Sequence, residues 1–138
     1  MVYLDTSALY KLIIDEPGSD ELEQYVQYLL DHDFTLVSSI LAETELRRIA
    51  QRDNIPVSTI EKLLSFVNLI DISKAEFIRA GGLTTEHSKA LRSLDALHIV
   101  SAELVHIDFV ITFDNRQAEV FRDLGYKVRS EFPVDSDS

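Results

Sequence analysis

The chain opens on three consecutive apolar residues, Val2, Tyr3 and Leu4, that stop at an acid, Asp5. A short unbroken apolar run of this kind reads as a buried strand. Thr6 to Ile14 follows a helical pattern, closed by the Pro and Gly of EPGS. Ser19 stands where it can cap a second helix. Leu22, Val26, Leu29 and Leu30 recur there at helical spacing, with Asp20 and Glu21 in the dipole-favoured first turn. FTLVSS (34–39) is rich in β-formers and predicts a strand feeding a helix over 40–52. NIPVS breaks the chain, and 57–67 reads as another helix. A strand at NLIDI (68–72) leads to Ser73 and Glu76, a capping-box pair opening a helix that ends near Gly81 and Gly82. The strongly apolar LDALHIVSAELV predicts a helix, FVITF (109–113) a strand, 115–124 a helix stopped by Gly125, and YKVRS a last strand.

Strands that alternate with helices, several of them apolar throughout, predict an α/β fold with a mostly parallel sheet flanked by helices on both faces. In such sheets ligands bind beyond the carboxyl ends of the strands, where Asp5 falls. One domain is expected over 1–132, with PVDSDS (133–138) as a polar tail. No apolar run approaches the ~18 residues of a membrane helix, and no basic leader precedes Val2, so a soluble, cytoplasmic protein without membrane contact is expected. The chain has no cysteine, which removes disulfides, thiolate metal sites and cysteine nucleophiles. A bound metal must then be held by oxygen or imidazole.

Charge complicates the picture. The formal net charge of −11 argues at face value against a nucleic-acid partner, which usually demands a basic footprint. Its distribution is uneven: residues 1–46 hold ten acids and only Lys11 as a base, whereas 47–138 hold fourteen acids and twelve bases. Groups for a polyanion must come from the later part, where Arg47, Arg48, Arg52, Lys89, Arg92 and Arg116 stand. As ordinary features these are solvated helix faces.

Asp114 repeats the placement of Asp5, following an apolar strand and preceding a helix. Each can be a helix N-cap. Asp95 lies near the start of a helix so apolar that its carboxylate needs a partner. Glu43 and Glu45 fall on opposite borders of an apolar stripe made by Leu41, Ala42, Leu46, Ile49 and Ala50, and the helical wheel does not choose between them. Arg47 and Arg48 offer each an ordinary ion pair. If Asp5, one glutamate, Asp95 and Asp114 converge, their mutual repulsion calls for a hard divalent cation, Mg2+ or Mn2+. A magnesium ion held by few carboxylates binds phosphate, so phosphodiester hydrolysis is the natural chemistry.

YLDTSAL, SSILAETELRR, LRSLDALHIVSA and VITFDNR, in this order, resemble the acidic motifs of PIN-domain nucleases, and most closely the VapC toxins of toxin–antitoxin operons. The resemblance spans nearly the whole chain. It implies a PIN-like three-layer sandwich and metal-ligating, catalytic acids at Asp5, Glu45, Asp95 and Asp114; the EL pair of the motif selects Glu45 over Glu43. It places Thr6, Ser7 and Thr112 as accompanying hydroxyls, which with Arg92 and Arg116 are the expected substrate contacts. Arg116 stands where some PIN nucleases carry a further acid. The family further implies Mg2+- or Mn2+-dependent endoribonuclease activity, a homodimer, and a VapB-like antitoxin that inserts a basic arm into the site.

Other candidates weigh less. His98, one turn after Asp95, reads first as a hydrogen-bonded core histidine. His32, His87 and His106 show no ligand-like spacing, and Ser7 lacks a His–Asp relay. A nuclease of RNA maturation or decay is the nearest alternative function. A phosphoryl-handling α/β domain is the more distant one, opposed by the DTS at Asp5 where a phosphatase needs D-x-D.

Overall fold

In the computed structural model, residues 1–132 are described; the expected polar tail at 133–138 lies outside them. The strands are β1 (Val2–Leu4), β2 (Leu36–Ser39), β3 (Asn68–Ile70), β4 (Phe109–Ile111) and β5 (Val128–Arg129). The helices are α1 (Thr6–Lys11), α2 (Ser19–Asp31), α3 (Leu41–Asp53), α4 (Val57–Leu64), α5 (Lys74–Gly81), α6 (Ser93–Glu103) and α7 (Asn115–Asp123). All four strand pairings are parallel, in the order β3-β2-β1-β4-β5.

The period-two alternation of β1 divides the molecule into layers. Val2 and Leu4 join Leu36, Phe109 and Ile111 on one face, packed against Leu9 of α1, Leu22, Val26 and Leu29 of α2, Leu46 of α3 and Ile60 of α4. Tyr3 points the other way, with Val37 and Val110, into a second core closed by Ile99 and Ala102 of α6 and Val120 and Phe121 of α7. Register carries this through the sheet centre, with Tyr3 beside Val37 on one side and Val110 on the other. Both faces of the central strands are buried, which is why β1 and β4 read as unbroken apolar runs, while β2 buries Ser38 and Ser39 after Leu36 and Val37. The expected α/β sandwich is therefore found, with the described sheet wholly parallel.

Several boundaries shift for local reasons. α1 ends at Lys11 instead of running to Ile14. The cap of α2 is Gly18, not Ser19. Gly18 has φ +92°, a left-handed turn that disfavours any side chain, while the Ser19 hydroxyl accepts from the Glu16 N–H at 3.3 Å. α4 stops at Leu64, short of 67, and β5 is only two residues long. A single 3₁₀ turn at Ser88–Ala90, which periodicity does not reveal, joins α5 to α6. The Ser73–Glu76 capping box forms as expected, the Glu76 carboxylate accepting from the Ser73 N–H at 2.8 Å. No described helix is long and apolar enough to cross a membrane.

Strand order turns back at β1: the chain builds β2 and β3 on one side, then returns to place β4 and β5 on the other. The helices that follow β1 and β4 pack on opposite faces of the sheet, the arrangement that places a ligand crevice at the carboxyl end of such strands. Asp5 follows β1 directly, and Asp114 follows β4 after Thr112 and Phe113.

Candidate functional site

Asp5 is only 1% exposed. It caps α1, its Oδ1 accepting from the Ala8 N–H at 3.0 Å and from the Ser7 hydroxyl at 2.6 Å. The Thr112 hydroxyl donates to Oδ2. Ser7 is itself pinned by the Phe113 N–H at 2.9 Å, and Thr112 by the Asp114 N–H at 3.1 Å. Burial pushes the Asp5 carboxyl above its ordinary value in spite of these donors. Hydroxyls are present, and no cation of the chain donates to this acid among the described residues.

Asp114 caps α7, accepting from Arg116 N–H at 2.9 Å and Gln117 N–H at 3.1 Å. Gln117 reaches across to the Asp95 carbonyl at 3.2 Å and ties the heads of α7 and α6 together. Asp95 sits half-buried in the first turn of α6. Burial raises its carboxyl first; the negative charges of Asp114 and Glu45 raise it further, against a lowering by the Arg92 backbone N–H. Those Coulombic effects show that Asp95, Asp114 and Glu45 share one electrostatic neighbourhood.

Of the two glutamates that the wheel leaves open, Glu45 turns inward. Its Oε1 accepts from the Thr6 hydroxyl at 2.9 Å and from His98 Nε2 at 2.7 Å. Glu43 instead pairs with Arg47 at 2.8 Å on the surface. His98 is 1% exposed, and its Nδ1 lies 2.6 Å from the Tyr3 hydroxyl. The sequence reading of His98 as a satisfied core histidine therefore holds, but its partners are an acid of the crevice and the β1 tyrosine. Helical spacing from Asp95 was the only hint, because the three partners stand on separate elements.

Thr6, Ser7 and Thr112 direct their hydroxyl protons at Glu45 and Asp5. Their geometry makes them holders of carboxylates. Arg92, the N-cap residue of α6, and Arg116, in the first turn of α7, are exposed beside Asp95 and Asp114.

The donor set at the crevice is all hard oxygen and fits Mg2+ or Mn2+. Spacing alone would pick another place. Among the described residues, the set whose ligand atoms all lie within 4.8 Å of one another is Glu86, His87 and Asp123, on the opposite end of α7 from Asp114. His87, set aside on sequence spacing, is brought there by the fold.

Fold and crevice together define a class: a three-layer α/β domain with an acid-lined crevice at the switch point of a parallel sheet. The chain belongs to the PIN domain family, whose model matches residues 2–122. Ribonuclease VapC46 of Mycobacterium tuberculosis is 32% identical over 130 residues, covering 92% of this chain and 95% of its own. Ribonuclease VapC47 of the same species is 31% identical over 132 residues, covering 94% and 96%. Among solved structures, VapBC2 from Rickettsia felis, bound to a promoter DNA fragment, shares the fold with a TM-score of 0.69 at 19% identity, over 94% of this chain and 98% of that one. VapC20 of M. tuberculosis, a toxin that cleaves the sarcin–ricin loop, shares it with a TM-score of 0.70 at 13% identity, over 91% and 96%.

Proposed function

We propose that this chain is a divalent-metal-dependent endoribonuclease, the toxin of a toxin–antitoxin pair. The observations that support the reading are Asp5, buried after β1 and raised by that burial, and Asp95, raised by burial and by the charges of Asp114 and Glu45. Such a group is short of positive charge, and a hard dication supplies it. The full-length likeness to curated VapC ribonucleases supports RNA as the substrate class.

Asp5, Glu45, Asp95 and Asp114 are the residues that hold Mg2+ or Mn2+. Bound there, the cation supplies Lewis-acid polarisation of a phosphodiester oxygen and acidifies a water. Ser7 and Thr112 fix both oxygens of Asp5, so that this acid has no rotational freedom to lose when the cation arrives. Thr6 does the same for Oε1 of Glu45. Arg92 and Arg116, at the amino ends of two helices, offer guanidinium and helix-dipole charge to the RNA backbone.

The same charge suits a basic arm of an antitoxin, whose Arg or Lys takes the place of the cation. The similar structures include VapBC2 and a toxin–antitoxin complex from Klebsiella pneumoniae, which supports such a partner. α5 buries no side chain and exposes Phe77 and Ile78, which supports a covered face there and the homodimer.

The test is RNA hydrolysis with Mg2+, with Mn2+ and with EDTA. Cleavage that needs the cation and stops with chelator is the expected result; EDTA-resistant cleavage overturns the reading.

A further inference from the structure

His98 bridges three elements by side chains alone. Its Nε2 lies 2.7 Å from Glu45 Oε1 on α3 and 3.1 Å from the Thr6 hydroxyl on α1; its Nδ1 lies 2.6 Å from Tyr3 on β1. A carboxylate only accepts, so Nε2 carries the proton in the contact with Glu45. In the neutral imidazole Nδ1 then holds the lone pair and takes the Tyr3 O–H. The Tyr3 ring also meets the imidazole edge-on, with centroids 6.0 Å apart and planes at 79°, which fixes the ring plane as well as its end.

We propose that His98 is the positioning residue for Glu45: its Nε2–H holds Oε1, Tyr3 holds the imidazole from behind, and Glu45 is presented to the cation by Oε2. Among the described residues both hydrogen bonds to Glu45 fall on Oε1 and none on Oε2, which gives the carboxylate a protein side and a crevice side. Both ring nitrogens are engaged by side chains of the protein, so His98 acts on the cation through Glu45. Outer partners of this kind orient a ligand and raise its basicity. The proposal rests on the metal-nuclease reading, because Glu45 needs aiming only if a cation is its target.

The two nitrogens of the ring provide the test, since glutamine places its amide nitrogen near Nε2 and asparagine places its own near Nδ1. Mn2+ binding to the full chain without RNA is read by the loss of free-ion EPR signal, beside the Mn2+ midpoint of RNA cleavage and the thermal midpoint of the metal-free protein. His98→Asn is expected to weaken Mn2+ by ~10–100-fold, as loss of an outer-shell partner does, and to move the cleavage midpoint by the same factor. His98→Gln should stay within a few-fold of wild type, because it keeps the hold on Oε1. Equal weakening in both variants, or wild-type affinity in His98→Asn, overturns the proposal. If His98→Asn does not fold, Tyr3→Phe decides: it keeps the ring and removes the hydroxyl, and an unchanged Mn2+ affinity overturns the relay. Wild-type protein that binds no Mn2+ sinks the metal reading itself, a result distinct from any of these.

Discussion

Two groups of acids sit at opposite ends of α7, and the tighter one is the less reactive in charge. At the far end, Asp123 accepts from the Thr85 hydroxyl at 2.7 Å, from the His87 N–H at 2.9 Å, and meets His87 Nδ1 at 2.7 Å. The Thr85 bond, then His87, hold its carboxyl below the ordinary value, and Asp123 holds His87 above its own. That charge is settled by the protein. At the near end the acids are spread more widely, yet Asp5 and Asp95 are both raised by burial, and the charges of Asp114 and Glu45 raise Asp95 further. Closeness of ligand atoms finds the first group; unbalanced charge under burial finds the second. The lesson is that a site for a cation is marked by what the protein leaves uncompensated.

The largest break in this contrast comes from Asp5→Asn. The amide nearly matches the carboxylate in size and caps a helix about as well, so the fold survives. It also removes buried charge from the metal-free crevice, and the thermal midpoint should hold or rise. RNA cleavage should fall by more than the ~100-fold that marks the upper end for outer-shell changes, because a direct ligand is lost. Asp5 does cap α1, so capping and ligation are roles it can hold together; an Asn variant with full activity would leave it capping alone.

A second variant sharpens the electrostatic side. Asp95→Asn relieves the repulsion among Asp95, Asp114 and Glu45, so the metal-free protein should melt a few degrees higher at neutral pH, a modest shift because the side chain is half in water. Saturating Mn2+ should then stabilise wild type more than the variant. Glu43→Gln is the matched control on the surface of α3: losing its pair with Arg47 should alter neither Mn2+ affinity nor cleavage. A Glu43 variant that loses Mn2+ would reopen the choice between the two glutamates.

What could be read from the chain follows from how local each signal is. β1 and β4 were legible because strands buried on both faces carry no polar interruption, and β2 because FTLVSS is rich in β-formers. The capping box at Ser73 was legible because both partners lie within four residues. The acids at Asp5 and Asp114 stood out by repeated placement after a strand, but Glu45 was separated from Glu43 only by likeness to known motifs, since a helical wheel does not know where α1 and α6 lie. The Tyr3–His98–Glu45 chain and the His87–Asp123 group were illegible for the same reason: their partners stand 95, 53 and 36 residues apart, and only packing brings them together.

The smallest effect tests the other arm of the comparison. His87→Ala cuts a hydrogen-bonded pair that fastens the Thr85–Ser88 turn to α7, and since the His87 side chain is 42% exposed the loss should amount to a few degrees of melting at most. Its pH dependence has a definite sign. His87 is raised in the folded state, so its contribution is complete below the unfolded histidine value and is lost as pH rises through the folded one. Asp123 is lowered, so its contribution is complete above the unfolded carboxylate value and is lost as pH falls through the folded one. The difference in thermal midpoint between wild type and His87→Ala should therefore peak in mildly acidic buffer and shrink on either side. Mn2+ affinity at the crevice and RNA cleavage should stay at wild-type levels throughout. Loss of Mn2+ binding in this variant would mean that the tight group, and not the buried one, holds the cation.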